Sequence, residues 1–301
     1  MLLAPQVVLN RVHHVEVDTQ SVLVARVLGA RHLTQAALSD VNPSPEVLAM
    51  GVWVDIAYFD RSPTERTSFA RATRVTVNGH PAAGAWYWET SAHPGVAVEV
   101  HYRLADYRPA HARIELNAPI KGLSAGAGLA YADNVSLSTA TGAAHVSTVD
   151  NTTHQMTLCS DGVLLKTVPV SLGAGDHPTF KGVKVVMERD RVEEIKNTPG
   201  EPYYDVMVPW SLRLTNSGEF THDASWNHNI GDVNTSHGCT NLRPGDAQWF
   251  YEFSQSGDVI TYPNATGRTM PASDGYGDWN VPWPVWSAGG MAGYVRPASR
   301  E

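Results

Sequence analysis

The most informative stretch of the sequence is Asn234-Thr235-Ser236-His237-Gly238-Cys239-Thr240-Asn241-Leu242, preceded by Thr221-His222. A cysteine attacks a carbonyl as its thiolate, and a nearby imidazole can accept the thiol proton and stabilise the resulting ion pair. Gly238 permits a backbone conformation that a side chain would forbid, and it leaves amide N–H groups free to face a carbonyl oxygen. The stretch therefore predicts a cysteine nucleophile with a histidine base, and the spacing leaves open whether His222 or His237 is that base.

Thirteen residues separate His222 from Ser236-His237-Gly238-Cys239-Thr240-Asn241, and this pattern resembles the signature of L,D-transpeptidases with a YkuD-type catalytic domain. Two further segments resemble a strand of that family and the segment that follows it, namely Pro169-Val170-Ser171-Leu172-Gly173 and His177-Pro178-Thr179-Phe180-Lys181-Gly182. Thr240, where an aliphatic residue is usual, and Phe180-Lys181 depart from the family pattern. No catalytic position differs from it.

The resemblance extends to both sides of the motif. Upstream, short β-branched and aromatic runs alternate with turns such as Asn78-Gly79, which predicts a β-sandwich of about 100 residues. Within it, Gly84-Ala85-Trp86-Tyr87-Trp88 resembles the immunoglobulin-like domain that precedes the catalytic domain in mycobacterial and related actinobacterial members. Downstream, the segment Asp274-Gly275-Tyr276-Gly277-Asp278-Trp279-Asn280-Val281-Pro282-Trp283 resembles the C-terminal extension of that group.

We therefore predict a mainly β chain in four parts. Residues 1–39 are an N-terminal extension of unclear structure, and residues 40–141 form an immunoglobulin-like β-sandwich. Residues 142–263 form the β-rich L,D-transpeptidase catalytic domain, with one short helix after Pro244. Residues 264–301 are a Trp-rich C-terminal extension, which we expect to pack on the catalytic domain through Trp279, Trp283 and Trp286 rather than to bind sugars.

The resemblance implies a role for each matching residue. Cys239 would be the acylated nucleophile and His222 its general base, oriented by the backbone carbonyl of Asp223. His237 and Gly238 would lie beside the oxyanion site, with the backbone amides there as candidate donors. The Asp223 side chain stands where serine is more common, and it either raises the basicity of His222 or points to solvent. The substrate pocket would be bordered by Tyr204, Ser236, Asn241, Trp226 and Met187.

The activity implied by the resemblance is two-step acyl transfer on peptidoglycan. Cys239 would attack the carbonyl of the L-centre of diaminopimelate in a donor tetrapeptide stem and expel the terminal D-alanine. The side-chain amine of diaminopimelate on an acceptor tetrapeptide stem would then attack the thioester and give a 3→3 cross-link. Water as the acceptor would instead give L,D-carboxypeptidase activity. The resemblance implies no metal and no cofactor, and it implies carbapenem β-lactams as covalent inhibitors.

Composition excludes several other classes of protein. Of the 301 residues, 43% are hydrophobic and 17% are charged, which suits a folded chain with a sizeable core. Lysine and arginine number 22 against 30 aspartate and glutamate, so a basic footprint for nucleic acid is absent. No run approaches the roughly 18 apolar residues of a transmembrane segment.

The two cysteines and the substrate bear on the compartment. Cys159 and Cys239 cannot build a disulfide scaffold, and a bridge between them would block the nucleophile, so we predict two free thiols. Peptidoglycan lies outside the cytoplasmic membrane, so we expect export to the cell envelope or secretion. Residues 1–39 show no export signal with a basic start, an apolar middle and a small-residue cleavage site.

Three other interpretations stay open at this point. Cys239 could be a core thiol with His237 as its neighbour. A zinc ion could be held by His222, His228, His237 and Cys239. The chain could also be a wall-binding protein whose catalytic centre has decayed.

Overall fold

The computed structural model describes residues 25–27, 55–91, 95–196 and 205–290, which divide into two compact units. The first unit runs to Gly142 and resumes at Trp283, and the second spans Ala143–Pro282. Most of the predicted extension 1–39 lies outside the described residues. The exception is a short strand, Ala25–Val27, which pairs with the first unit.

The first unit is a sandwich of two four-stranded antiparallel sheets. One sheet has the order β1-β2-β6-β5, with β1 (Ala25–Val27), β2 (Asp55–Phe59), β5 (Gly84–Thr90) and β6 (Val98–Leu104). The other has the order β10-β7-β3-β4, with β3 (Arg74–Val77), β4 (His80–Pro81), β7 (Arg113–Ala118) and β10 (Val135–Ala140). A helix, α1 (Thr67–Ala72), and a hairpin, β8 (Ser124–Gly126) with β9 (Leu129–Ala130), complete it.

Local sequence explains the hairpin and the core of this unit. Asn78 and Gly79 connect β3 to β4 with φ angles of 52° and 78°, the left-handed pair that a two-residue hairpin turn needs. Phe59 packs between the sheets in contact with the rings of Phe69, Trp88 and Tyr131. The mainly β architecture predicted from the sequence is therefore confirmed.

The C-terminal extension differs from the prediction. A short helix, α3 (Trp283–Ser287), belongs to the first unit and packs on β5, whereas the prediction assigned it to the catalytic domain. Trp286 is fully buried there, its ring stacks on Tyr87 at 4.7 Å, and its Nε1–H donates to the carbonyl of Ala85 at 2.9 Å. This site buries the indole ring and gives its one polar N–H a hydrogen-bond acceptor. In the described part of the extension, residues 264–282 belong to the second unit.

The second unit contains two sheets and one longer helix. The five-stranded sheet has the order β13-β12-β11-β19-β14, with β11 (His145–Asp150), β12 (Gln155–Ser160), β13 (Val163–Pro169), β14 (Gly182–Val185) and β19 (Val259–Tyr262). The four-stranded sheet has the order β15-β16-β17-β18, with β15 (Glu188–Lys196), β16 (Asp205–Arg213), β17 (Phe220–Asp223) and β18 (Thr240–Leu242). Helix α2 (Pro244–Phe253) packs on β16 and β17, and a 3-10 turn (Asp278–Asn280) lies against β14.

The core of the second unit holds β17 and β18 in place. Leu212, Leu242 and Phe250 are almost fully buried in one apolar cluster, which joins α2 to the four-stranded sheet. The helix begins at Pro244, where a missing N–H costs nothing in the first turn. This packing fixes the position of the two short strands that carry the motif residues.

Candidate active site

Strands β17 and β18 bring the predicted histidine and cysteine together. They run parallel, with His222 opposite Asn241 and Thr221 opposite Thr240. Paired residues on neighbouring strands share a face of the sheet, and residues two apart along a strand share it too. Phe220 and His222 share one face of β17, and Cys239, which directly precedes β18, packs in one apolar cluster with Phe220, so the thiol lies on the side of the sheet from which the imidazole projects.

Gly238 shapes the turn into Cys239. Its φ of +117° is a conformation that an L side chain rarely adopts, so the glycine is needed for the backbone itself. Ser236 closes this turn: its hydroxyl donates to the carbonyl of Cys239 at 2.6 Å and accepts the N–H of Gly238 at 3.2 Å. The Gly238 amide, one of the predicted oxyanion donors, is therefore already used by Ser236.

Thr179 fixes the peptide that links Gly238 to Cys239. Its hydroxyl accepts the N–H of Gly173 at 2.8 Å and donates to the carbonyl of Gly238 at 2.8 Å. Because the peptide is planar and trans, a fixed carbonyl also fixes the opposite direction of the Cys239 N–H. Among the described residues, no group accepts a hydrogen bond from that N–H, which makes it the best candidate for an oxyanion donor.

His222 is held in one tautomer. Its Nδ1 lies 2.7 Å from the backbone carbonyl of Asp223, and because a carbonyl only accepts, Nδ1 carries the proton and Nε2 is the basic atom. The ring is 4% exposed, and burial lowers its pKa below the usual 6.5. A buried neutral imidazole with a free Nε2 lone pair is the form that can accept a proton.

The Asp223 side chain follows neither of the two alternatives drawn from the sequence. Asp223 is buried rather than pointing to solvent, and a hydrogen bond from the backbone of Ser225 reaches its carboxyl group. Burial raises the pKa of this carboxyl, and the Ser225 hydrogen bond opposes the rise. The residue acts on His222 through its backbone carbonyl, as the resemblance implies, and the pKa of His222 responds to burial and to that carbonyl.

Cys239 is a buried thiol. It is 9% exposed and packs in an apolar cluster with Ile195, Val208 and Phe220. Burial raises the pKa of the thiol to about 12, and a hydrogen bond with the Phe220 backbone opposes the rise. The two resting groups are therefore a neutral thiol and a neutral imidazole.

The remaining predicted pocket residues lie in different places. Trp226 stacks on His222 with 6.0 Å between ring centroids, and Asn241 is 5% exposed and pairs with His222 across the two strands. Met187 instead donates its backbone N–H to Arg213, and its sulfur lies against Gly275. Tyr204 lies outside the described residues.

The structure also shows where the histidines of the zinc interpretation lie. The exposed ring of His237 lies 4.8 Å from the ring of His177, while His222 is fixed to the carbonyl of Asp223. His228 is exposed on the loop between β17 and β18. Both Cys159 and Cys239 are free thiols, as predicted.

Sequence reasoning missed a buried pair next to the nucleophile, Lys184 and Glu219. Lys184 lies on β14 and Glu219 directly precedes β17, and their charged groups are in contact. The signal was present as a lone lysine within the apolar run 183–186 and a lone acid between Gly218 and Phe220.

A thiol and an imidazole that share one sheet face are the two groups that acyl transfer through a thioester requires. Residues 144–282 match the family described as the L,D-transpeptidase catalytic domain, YkuD. The second unit is therefore an L,D-transpeptidase catalytic domain of the YkuD family. The resemblance predicted from the motif is confirmed.

Several similar proteins come from mycobacteria. L,D-transpeptidase 2 of Mycobacterium tuberculosis is 33% identical over 251 residues, which cover 81% of this chain and 60% of that protein. An L,D-transpeptidase structure from Mycobacterium smegmatis has a TM-score of 0.57 and 25% identity, covering 83% of this chain and 98% of the other. LD transpeptidase LdtMt1 in complex with imipenem shares the fold, with a TM-score of 0.58 and 24% identity over 71% of this chain and 93% of the other. The chain spans about three-fifths of the length of two curated relatives, L,D-transpeptidases 2 and 5 of Mycobacterium tuberculosis. In the part of the chain that the structure describes, no helix is long and apolar enough to cross a membrane.

Proposed function

We propose that this protein is a cysteine-dependent peptidoglycan L,D-transpeptidase that forms 3→3 cross-links between diaminopimelate residues. The observation that carries the proposal is the packing of Cys239 against Phe220 on the face of β17 that also carries His222, with Nδ1 of His222 bonded to the carbonyl of Asp223 and Nε2 left as the base. A base fixed in this way can first accept the proton of the thiol and then donate it to the departing amine.

The first half-reaction acylates the enzyme. Nε2 of His222 takes the thiol proton while Sγ of Cys239 bonds to the carbonyl carbon of the L-centre of diaminopimelate in the donor stem. The Cys239 N–H supports the negative charge on the carbonyl oxygen. The carbon–nitrogen bond to D-alanine then breaks, and the imidazolium gives its proton to the departing amine, leaving a thioester.

The second half-reaction releases the enzyme. The side-chain amine of diaminopimelate on an acceptor stem bonds to the thioester carbon, and His222 takes the proton that this amine loses. The carbon–sulfur bond breaks, and Cys239 recovers the proton from His222. Atoms and charges balance without a metal or a cofactor.

Asn241 supports a binding role beside this chemistry. Its side chain is buried on the same face as Cys239 and His222, and among the described residues its Oδ1 has no hydrogen-bond partner. A buried polar atom without a partner is costly unless a ligand completes it. We assign Asn241 and the exposed ring of Trp226 to the substrate pocket, with Ser236 shaping its floor.

The test begins with imipenem, which is bound by a protein of the same fold. Intact-protein mass spectrometry should show one adduct on the wild type and none on Cys239→Ala. The absence of an adduct on a folded, reduced wild type would contradict the proposal and favour a wall-binding protein with a decayed centre.

Disaccharide-tetrapeptide then identifies the acceptor. Cross-linked dimers with release of D-alanine are expected, and tripeptide products alone would identify an L,D-carboxypeptidase instead. Because this substrate lies outside the cytoplasmic membrane, we also propose that the protein acts after export. Fractionation of cells that produce the natural gene product should place it in the envelope or the medium.

A further inference from the structure

A buried pair of opposite charges lies directly behind the nucleophile. The Lys184 side chain is completely buried and that of Glu219 is 9% exposed, with Nζ in contact with Oε2. Nζ also lies 3.9 Å from the centroid of the Tyr262 ring, whose hydroxyl bonds to Thr240 beside Cys239. Isolated buried charges are very costly, so each of these groups depends on the other.

Glu219 has a second contact, which reaches the segment before β14. Its Oε1 accepts the backbone N–H of Phe180 at 2.7 Å, and its own N–H donates to Thr215 at 2.8 Å. Phe180 and Lys184 thus hold the two carboxylate oxygens, and Thr215 holds the backbone of Glu219. Burial raises the pKa of Glu219 and lowers that of Lys184, while their mutual attraction opposes both shifts.

Thr179, the residue before Phe180, connects this segment to the Gly238–Cys239 peptide. Thr179 donates to the carbonyl of Gly238, and this bond directs the Cys239 N–H. Glu219 also lies against Gly238, since a Cβ built on that glycine would be 3.7 Å from Glu219 Cγ and Oε1. A movement of the Phe180 amide would therefore displace Thr179 and tilt the Gly238–Cys239 peptide.

We propose that Glu219 is a positioning residue for acylation: its Oε1 anchors the Phe180 amide, which sets Thr179 and hence the direction of the Cys239 N–H. Lys184 makes this possible by neutralising the buried carboxylate. The proposal rests on the proposed function, because it assigns the Cys239 N–H to the oxyanion. Glu219 itself does not touch the substrate.

Two double variants separate the hydrogen bond from the charge. Lys184→Met with Glu219→Gln removes both charges and keeps an acceptor for the Phe180 N–H. Lys184→Met with Glu219→Leu removes both charges and the acceptor. We expect the Gln variant to be acylated by imipenem within about 3-fold of the wild-type rate, and the Leu variant to lose between about 10-fold and 100-fold.

A second reaction of the same thiol shows whether the loss is specific. Alkylation of Cys239 by iodoacetamide forms no oxyanion, so both variants should react with it at close to the wild-type rate. Lys166→Met with Asp246→Asn removes another ion pair of the second unit, at 2.7 Å, and should leave acylation unchanged. Circular dichroism and thermal melting confirm that each variant is folded.

Thr179 provides an independent check. Thr179→Val removes the bond to Gly238 and should slow acylation by a similar factor, whereas Thr179→Ser should restore it. Combined with the Leu double variant, Thr179→Val should add little further loss, because residues of one network are not additive.

The outcomes distinguish the two proposals. A wild type that imipenem does not acylate would overturn the proposed function and this inference with it. A wild type that is acylated, with a folded Leu variant as fast as the Gln variant, would overturn this inference alone. If the Leu variant lacks a folded melting transition, the comparison of Thr179→Val with Thr179→Ser decides, and equal acylation rates would overturn the inference.

Discussion

The indole of Trp226 lies over the imidazole of His222, with ring centroids 6.0 Å apart and ring planes 24° apart. The indole is 53% exposed, whereas the histidine beneath it is 4% exposed. Trp226 therefore forms a solvent-facing cover over His222. Its removal changes the hydration of His222 without altering the strand that carries it.

Trp226→Ala should shift the pH dependence of imipenem acylation. Burial lowers the pKa of His222 below 6.5, so the wild type should keep a neutral base, and its acylation rate, to a pH below that value. Hydration in the variant should raise the pKa toward 6.5 and move the acid limb of the rate to higher pH. Stopped-flow acylation rates across the acid range give both midpoints, with Trp226→Phe as the control that keeps the cover. Equal midpoints for the wild type and the alanine variant would contradict this account.

Gly238→Ala should lower both stability and acylation. A Cβ at this position meets nothing closer than 3.7 Å, so the cost comes from the φ of +117° rather than from a clash. Strain of this kind costs about 1–3 kcal/mol, and relief of it would tilt the Cys239 amide. Urea unfolding and imipenem acylation measure the two effects. Gly245→Ala, in the first turn of α2 with nothing within 4 Å, is the control and should change stability by less than about 1 kcal/mol.

Trp286→Ala should destabilise the first unit. The variant loses a fully buried ring, its stacking on Tyr87 and its hydrogen bond to Ala85, and large-to-small changes of this kind cost about 3–5 kcal/mol. Trp286→Phe keeps the ring contact and should cost less. Calorimetry follows the unfolding of the sandwich, and Val285→Ala at a 39% exposed neighbour is the reference. If Trp286→Ala has the same melting temperature as Val285→Ala, α3 is not part of the core.

Removal of metal ions should leave acylation unchanged. In the proposed mechanism the thiol of Cys239 carries the acyl group and Nε2 of His222 carries the proton, so no step requires a Lewis acid. Imipenem acylation is compared before and after dialysis against a strong chelator. A loss of rate that zinc restores would support the metal interpretation of His222, His228, His237 and Cys239.

The catalytic motif was readable from the sequence because its residues act locally. Gly238 is required by its own backbone angle, and Ser236 bonds to atoms two and three residues away. Asn78-Gly79 predicted its hairpin for the same reason, since both residues adopt the left-handed conformation that the turn requires. Features that depend on short-range geometry can be recognised from residues that are neighbours in the sequence.

Features set by distant contacts left a weaker signature. Lys184 and Glu219 are 35 residues apart, and only the folded chain shows that each neutralises the other. The position of Trp286 depends on a partner 201 residues away, the carbonyl of Ala85. A Trp-rich segment predicts burial, but its letters do not say which of two cores it enters.

The discontinuity of the first unit bears on the order in which the protein can mature. Residues 283–290 are made after the whole catalytic unit, yet Trp286 fills the space beside Tyr87 and the carbonyl of Gly289 accepts a hydrogen bond from the N–H of Trp88. During synthesis or translocation, the sandwich can be completed only when this segment emerges, about 140 residues after its last strand. Elongation over that distance takes roughly 10 s. During that interval the ring of Tyr87 and the edge of β5 would lack their natural cover, which makes this face the place where a chaperone would first be needed.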